Sequence, residues 1–313
     1  MSHRIKGGLN PEIPNIVVTD SGLGGLDVVA EFLKLLSLST SLSAINLIYV
    51  NAQPHLQVGY NDINAVEVKI KIFDRVLKAI NSNFKPQGIY IACNTLSVLY
   101  DKTPFAQSVK PNACSIVNLS VQAMKDVLNR HKNTALIIFA TETTIQSQWF
   151  PDQLQSISDI SSAIVLQECP GLAGAIERGP DSEITQTKVN GFVQNAIKRL
   201  PSNYTDIIVS YNCTHYPYAH DVFKRAFERR NIQIKQFLNP NQIMADRIRV
   251  DMANNQSRTG ETVLHMVSQT EIPSEKQKAI GGILQNKSGK TAAMLYNYQY
   301  IPYLFPLKDL VEY

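Results

Sequence analysis

Short apolar runs rich in β-branched residues alternate with helical patterns along the 313-residue chain. Because strands that alternate with helices build βαβ units, this order predicts an α/β fold with mostly parallel sheets flanked by helices. The apolar runs lie at 15–19, 46–50, 87–91, 115–117, 135–139 and 207–210. The helical patterns cover 26–36, 65–80 and 121–129.

Two of these runs end at a cysteine that is followed by polar residues. The first continues as Ala92-Cys93-Asn94-Thr95, and the second as Asn212-Cys213-Thr214-His215. A strand that ends in this way carries its thiol to the carboxyl edge of a sheet, where open α/β folds bind ligands. A matched pair of such thiols indicates chemistry that needs one thiol on each side of a substrate.

The chain also contains an approximate internal repeat. The apolar segments 16–21 and 137–142 lie 121 residues apart, and the two cysteine-ended strands lie 120 residues apart. Two independent features at nearly one offset predict two similar α/β units that face each other.

Composition restricts the class of protein. With 44% hydrophobic residues the chain can bury a sizeable core. Its 30 basic and 26 acidic residues nearly balance. The sequence contains no basic run interleaved with aromatic residues, so we predict no nucleic-acid binding. No apolar stretch has membrane-spanning length, and residues 1–8 lack the apolar part of a signal peptide. We therefore expect a soluble cytoplasmic protein, with no membrane partner, whose four cysteines stay reduced.

Several roles are open to the cysteines. Burial as a small apolar side chain is the commonest role of a single cysteine, and we assign it to Cys114 and Cys169. Zinc ligation expects Cys-x-x-Cys pairs or clustered histidines, and since neither occurs we predict no metal site. A disulfide between Cys93 and Cys213 conflicts with a reducing compartment. Their polar neighbours favour catalysis, because a thiol near a helix N-terminus, beside a carboxylate or an imidazole, has its thiolate stabilised.

A glycine-rich turn, Asp20-Ser21-Gly22-Leu23-Gly24-Gly25, joins the first strand to the first helix. Its glycines permit a tight turn, and the helix start offers free backbone N–H groups to an anion. The turn lacks the Lys-Ser/Thr ending of a P-loop and the full glycine spacing of a dinucleotide site. Asp20 indicates a catalytic role for the turn, since a carboxylate at a strand end can orient or accept a proton beside a catalytic thiol.

Taken together, these motifs resemble the glutamate racemases of the aspartate/glutamate racemase family. The likeness runs from about residue 15 to residue 280, with its motifs in the family's order. It is carried by Asp20-Ser21-Gly22-Leu23-Gly24-Gly25-Leu26, Ala92-Cys93-Asn94-Thr95, Ala140-Thr141-Glu142-Thr143-Thr144-Ile145-Gln146-Ser147, Cys169-Pro170, Ala175-Ile176-Glu177-Arg178-Gly179 and Cys213-Thr214-His215-Tyr216-Pro217.

The resemblance implies a two-base racemase that uses no cofactor. One of the two thiols would remove the α-proton of an amino acid, while the other delivers a proton to the opposite face. Asp20 would assist Cys93, and His215 would assist Cys213 with Glu177 orienting the imidazole. The substrate's ammonium and carboxylate groups would be held by Ser21, Asn94, Thr95, Thr143 and Thr214.

The resemblance also implies two domains with the active site in the cleft between them. Residues 1–117 and 236–313 would form the domain that carries Asp20 and Cys93. Residues 118–235 would form the domain that carries Cys213 and His215. The product, D-glutamate, would supply peptidoglycan synthesis for the bacterial cell wall.

The likeness is weaker in the loop after the second strand. The family usually has a Pro-Tyr-Gly element there, lining the pocket for the substrate's side-chain carboxylate. In this chain the corresponding loop is residues 53–61, and its Gly59-Tyr60 resembles a shifted version of that element. We therefore predict that Gly59 and Tyr60 line the substrate pocket. The substrate therefore remains open between glutamate, aspartate and another amino acid. A catalytically silent homologue that only binds an amino acid is a further alternative.

The C-terminal tail, residues 291–313, falls outside the resemblance. It is rich in tyrosine, with Tyr296, Tyr298, Tyr300 and Tyr303 close together. Such a tail either covers the protein's own surface or pairs with a second subunit in a homodimer, and the sequence leaves both alternatives open.

Overall fold

The computed structural model of the protein describes most of the chain. The described residues are 5, 8–38, 44–108, 112–131, 133–154, 163–202, 204–254, 260–307 and 309–310. The last three residues of the tyrosine-rich tail lie outside them. No helix among the described residues is long and apolar enough to cross a membrane.

The strands form two parallel sheets. In chain order the strands are β1 (Asn15–Asp20), β2 (Asn46–Asn51), β3 (Gly88–Ile91), β4 (Ala113–Ser115), β5 (Thr134–Ala140), β6 (Ile164–Glu168), β7 (Asp206–Asn212), β8 (Gln236–Leu238), β9 (Val263–Ser268) and β10 (Gln299–Tyr300). The first sheet has the order β10-β9-β2-β1-β3-β4, and the second has the order β6-β5-β7-β8.

Helices flank both sheets, as the alternating pattern predicts. They are α1 (Leu26–Ser37), α2 (Val66–Phe84), α3 (Asn94–Tyr100), α4 (Pro104–Ser108), α5 (Ile116–Arg130), α6 (Glu142–Gln146), α7 (Trp149–Leu154), α8 (Leu172–Arg178), α9 (Glu183–Ile197), α10 (His220–Glu228), α11 (Pro240–Asn254), α12 (Ser274–Lys287) and α13 (Gly289–Tyr296).

The predicted internal repeat corresponds to a shared strand order. The block β2-β1-β3-β4 of the first sheet matches β6-β5-β7-β8 of the second, and β9 and β10 extend the first sheet beyond β2. In each block the central strand pairs in parallel with the strand that leads to a cysteine. The carboxyl end of each of these strands therefore brings its thiol to the same edge as its central neighbour.

The apolar runs become central strands because both of their faces are covered. Ile16, Val17 and Val18 of β1 are fully buried, as expected for a parallel strand with helices on each face. In β5, alternate side chains contribute to different cores. Leu136 and Ile138 join the core of the first sheet, whereas Ile137 and Phe139 belong to a second core. One face of the second sheet thus packs against the unit built on the first.

The predicted run at 115–117 is wrong as a strand. The strand is Ala113–Ser115, and helix α5 begins at Ile116. Ile116 and Val117 have high β-propensity, but both are buried in the first turn of an amphipathic helix, and that packing outweighs the local preference.

We propose that each sheet is the centre of one domain. The strand β8, Gln236–Leu238, pairs with β7 in the second sheet. A boundary after Leu238 therefore keeps this strand with its hydrogen-bonded neighbour, whereas one before Gln236 separates them.

Candidate active site

The carboxyl edges of the two sheets face each other, and polar side chains bond across the gap. Thr214 Oγ1, after β7, donates to Asp20 Oδ2 at the end of β1 over 2.9 Å. Asn212 Nδ2 donates to Asn94 Oδ1 over 3.2 Å. The two strand ends that carry cysteines therefore meet at one site, although they belong to different sheets.

The glycine-rich turn is what allows this close approach. A Cβ atom on Gly24 would lie 2.3 Å from Thr214 Oγ1 and 2.6 Å from His215 Nδ1. Real Cβ atoms do not approach other atoms so closely. Glycine at this position is thus required for contact between the turn and the Cys213 loop, rather than for an unusual backbone angle.

Cys93 is buried beside the Ser21 hydroxyl and near the Asp20 carboxylate. Its side chain is buried at the start of helix α3, and its Sγ lies 3.1 Å from Ser21 Oγ. Burial, followed by the nearby Asp20 carboxylate, raises the pKa of the Cys93 thiol to about 12, although hydrogen bonds from Ser21 and from the Leu96 N–H oppose the rise. Cys93 is therefore a protonated thiol at neutral pH.

Cys213 lies beside charged groups. Its Sγ is 3.7 Å from His215 Nδ1, and His215 Nε2 is 2.8 Å from Glu177 Oε1. Burial would lower the pKa of His215, but Cys213 and Glu177 together raise it well above its ordinary value. Burial would likewise raise the pKa of Glu177, but His215 and Lys276 lower it to about 2. A buried imidazolium–carboxylate pair therefore stands next to this thiol.

Asp20 is held by the Cys213 loop and by its own turn. Besides the bond from Thr214, its Oδ1 accepts the backbone N–H of Gly22 over 2.9 Å. Burial raises the pKa of Asp20, and His215 together with these two hydrogen bonds partly offsets the rise. The structure gives no hydrogen bond between Asp20 and Cys93, so within the described residues Asp20 acts on that thiol through its charge.

Threonine hydroxyls from both sides form a second set of contacts. Thr95 Oγ1 lies 2.8 Å from Thr141 Oγ1. Thr143 Oγ1 accepts a hydrogen bond from Lys69 Nζ over 2.6 Å and donates one to Asn61 Oδ1 over 2.8 Å. The predicted residues Thr95 and Thr143 therefore lie at the contact between the two units, close to the altered loop.

A cavity of about 580 Å³ opens at this contact. Of the predicted residues it is lined by Ser21, Gly59, Tyr60, Glu177 and His215. Cys93 and Cys213 do not line it, but their partners Ser21 and His215 do. The thiols thus lie directly behind its wall.

Several buried polar atoms near the thiols, Asn212 Oδ1 among them, have no hydrogen-bond partner among the described residues, and two of these atoms lie on the Cys93 side. These two are Tyr60 Oη and Asn94 Nδ2, on side chains that are 2% exposed. Tyr60 is close enough to Cys93 for the two groups to interact electrostatically. Since buried polar groups normally have partners, these two atoms are suited to a bound polar ligand.

Some residues of the site were not predicted. Asn212 precedes Cys213 directly, so a polar residue at the end of an apolar strand was a usable signal. Lys69 and Lys276 gave no such signal, since each is one of several lysines on a helix. Their role appears only when α2 and α12 are folded against the site.

Comparisons with known proteins relate the chain to one group of enzymes. No model of a known protein family matches the sequence. The glutamate racemase of Aliarcobacter butzleri (strain RM4018) is 24% identical over 210 residues, which cover 66% of this chain and 74% of that protein. The glutamate racemase of Methylococcus capsulatus (strain ATCC 33009 / NCIMB 11132 / Bath) is 28% identical over 204 residues, which cover 65% and 68%.

Solved structures share the fold over nearly the whole chain. A glutamate racemase isoform from Bacillus anthracis superposes with a TM-score of 0.69 and 16% identity, covering 94% of this chain and 99% of that one. The glutamate racemase from Francisella tularensis, solved in complex with D-glutamate, gives a TM-score of 0.67 and 17% identity, covering 96% and 99%.

Proposed function

We propose that this chain, a relative of the glutamate racemases in sequence and fold, is itself a glutamate racemase that interconverts L-glutamate and D-glutamate without a cofactor. Its sequence relatives are racemases, so its enzyme class is that of the isomerases that act on amino acids. The observation that carries the proposal is the pair of thiols on facing sheet edges, each with its own polar partner.

Cys93 and Cys213 act as the two acid/base groups. In one direction the Cys213 thiolate takes the α-proton, so the Cα–H bond breaks, an S–H bond forms, and the electron pair remains on the substrate as a carbanion. Cys93, a protonated thiol, then gives its proton to the opposite face. In the reverse direction the two thiols exchange roles.

The charged groups near the two thiols are consistent with one acting as the acid and the other as the base. An ordinary cysteine thiol has a pKa of about 8.5, so a site at neutral pH needs help to hold one thiolate and one thiol. Burial keeps the proton on Cys93, whereas the imidazolium of His215 lies 3.7 Å from the Cys213 sulfur. Glu177 holds the imidazole and balances its charge.

The substrate's polar groups are bound by side chains that the site already orients. Asn94 Nδ2 is a donor suited to a carboxylate, and Tyr60 Oη can donate to or accept from the ligand. Ser21, Thr95, Thr143 and Thr214 surround the same contact. We assign the side-chain end of the substrate to the neighbourhood of Gly59 and Tyr60, which line the cavity.

A racemase for another amino acid is the second candidate, and the altered loop favours it. Asn61 in this loop is tied to Thr143, which Lys69 also contacts. Asn61 also lines the cavity, so this cluster bears on the space and the charge available to a substrate side chain. Aspartate, with a shorter side chain and the same charge, is the first alternative to test.

The biological role follows from the proposed reaction. In a bacterial cytoplasm the enzyme would supply D-glutamate for peptidoglycan. This assignment depends on the identity of the substrate and fails with it.

The purified protein should be incubated with each L-amino acid in turn, while the D-isomer is followed by chiral chromatography. We expect D-glutamate to accumulate. If only another D-amino acid appears, the substrate assignment is wrong. If no D-isomer forms and no α-proton exchanges with deuterium in heavy water, while an amino acid still binds, the protein is a binding homologue and the proposed activity is wrong.

A further inference from the structure

We propose that Lys276 is a positioning residue that holds the Glu177 carboxylate against His215, so that the Cys213 half of the site removes protons at neutral pH. The inference rests on the proposed function and names a residue that the sequence did not single out. It is carried by a chain of contacts that leads from helix α12 to the Cys213 sulfur.

The contacts use both oxygens of the Glu177 carboxylate. Lys276 Nζ donates to Oε2 over 2.7 Å, while His215 Nε2 and the backbone N–H of Leu23 lie 2.8 and 3.1 Å from Oε1. With both oxygens bonded, the carboxylate cannot rotate without losing a partner. Lys276 therefore fixes the plane in which Glu177 meets the imidazole.

The ion pair is well protected from water. The Glu177 side chain is 9% exposed and that of Lys276 is 20% exposed. In such a setting an unpaired carboxylate is costly, so removing its cation has a larger effect than breaking a surface pair. Burial alone would raise the pKa of Glu177, and Lys276 is one of the two groups that keep it low.

The remaining titratable groups around this relay do not replace Lys276. They are Asp20 at the end of β1, Tyr49 on β2, Cys169 after β6, and Tyr216 and Tyr218 after β7. Each of them is neutral or negative when it titrates. Arg178, the next residue of α8, lines the same cavity, but it is not among the described ion partners of Glu177. Among the described ion pairs of Glu177, only those with Lys276 and His215 supply positive charge.

Removing Lys276 should therefore change the pH dependence of proton removal by Cys213 in one direction only. If Glu177 stays ionised, the site loses one positive charge and thiolate formation at Cys213 becomes harder. If Glu177 takes up a proton, His215 loses its anionic partner and no longer stabilises the thiolate as an imidazolium. In both cases we expect proton removal by Cys213 to require a higher pH, whereas none of the described hydrogen bonds or ion pairs joins Lys276 to Cys93.

Racemisation itself cannot separate the two halves. Enantiomers have equal free energy in water, so the ratio kcat/KM must be the same from either side. A glutamate with chlorine on its β-carbon removes this restriction. Abstraction of the α-proton forms Cα=Cβ as the C–Cl bond breaks and chloride leaves, and water converts the resulting enamine to 2-oxoglutarate and ammonium. This elimination needs only one base.

The experiment compares Lys276→Met, Lys276→Arg and the control Lys278→Met, which removes an exposed charge from the same helix. The Cys93→Ser variant first identifies the enantiomer from which Cys213 takes the proton. For that enantiomer we expect Lys276→Met to slow elimination about tenfold at pH 7 and to move its acid limb up by about one pH unit. The other enantiomer should change less than about twofold, and Lys276→Arg should restore most of the rate.

Equal losses from both enantiomers, or an unchanged acid limb, would overturn the role of Lys276 while the proposed function stands. Absence of both racemisation and elimination in the unmodified protein would instead refute the proposed function.

A measurement without substrate tests the role of Lys276 even in that case. The thiolate absorbance of Cys213, taken as the difference between Cys93→Ser and Cys93→Ser/Cys213→Ser, should appear at higher pH when Lys276 is Met. An unshifted titration contradicts the inference.

Discussion

Cys93 and Cys213 follow matching strands of a four-strand block that both sheets share, yet the charged groups around the two thiols differ. Cys93 meets the hydroxyl of Ser21 in a buried pocket. Cys213 meets His215, which is paired with Glu177 and through it with Lys276. Matching backbone positions have therefore been given unlike electrostatic partners.

In the proposed two-base mechanism one thiol and one thiolate are present at the same time, and they exchange roles when the reaction reverses. The difference in surroundings distinguishes the two acid/base groups. Burial retains the proton on Cys93, whereas Cys213 lies beside the imidazolium of His215. The repeat supplies the opposing positions, and the neighbours supply the asymmetry.

The largest effect is expected from removing either thiol. Cys93→Ser and Cys213→Ser should each lower racemisation by at least ~10²-fold, because a hydroxyl is a far weaker acid than a thiol and general acid–base catalysis contributes effects of this size. Chiral chromatography of the glutamate product measures the loss. Cys114→Ser, at a half-buried cysteine on β4, is the matched control and should keep its activity. If either active-site variant keeps full activity, the two halves are not both needed.

Gly24 tests the contact between the halves. In Gly24→Ala the new methyl group collides with Thr214 and His215, so we expect activity to fall by at least ~10-fold, with a destabilisation of ~1–3 kcal/mol from overpacking. Racemisation rates and urea unfolding check the two effects. Gly282→Ala, in helix α12 with open space around it, should keep its activity and be slightly stabilised. Normal activity in Gly24→Ala would show that the contact is dispensable.

Tyr60 tests the Cys93 half with a smaller change. Since Tyr60 Oη has no partner among the described residues, Tyr60→Phe should leave the free energy of unfolding within about 1 kcal/mol of the original. If the hydroxyl binds substrate, KM should rise about tenfold. Steady-state kinetics and urea unfolding provide both numbers, and Tyr300→Phe on the surface is the control. An unchanged KM would remove Tyr60 from the binding site.

Glu177 tests the Cys213 half through pH. Its pKa falls from 4.5 to about 2 on folding, so its ionised form adds stability that is fully present above pH 4.5. This stability, at most ~3 kcal/mol, is lost as the pH falls towards 2. Urea unfolding at pH 5 and pH 3 should therefore show a smaller decrease for Glu177→Gln than for the unmodified protein. Glu261→Gln, at an exposed ion pair, should follow the unmodified protein. An equal decrease in Glu177→Gln would mean that Glu177 is not held as an anion.

Much of the fold could be predicted because the chain repeats strong local signals. The buried centres of β1, β2, β5 and β7 are mostly apolar and β-branched or aromatic, so tertiary packing did not compete with their propensity. The segment after Ser115 was misassigned because Ile116 and Val117 have strand-like side chains that are buried in a helix. Local composition is a poor guide where two packings bury the same residues.

The candidate site could be predicted only in part. Cys93 and Cys213 stand next to their polar neighbours in the sequence, so the motifs themselves carried the signal. Lys276 reaches Glu177 across 99 positions of the chain, and Lys69 reaches Thr143 across 74. Contacts of this kind depend on how helices lie over the sheets, and no short motif records them.

The most direct test of the account follows single turnovers in heavy water. Starting from L-glutamate, two thiols on opposite faces predict that each D-glutamate formed early carries one α-deuterium from solvent, because the donating thiol has exchanged with the solvent. The remaining L-glutamate should stay α-protonated over the same interval. Mass spectrometry of the separated enantiomers measures both. Early D-glutamate that retains its α-protium, or L-glutamate that gains deuterium as fast as product forms, would mean that one group serves both faces and would contradict the account.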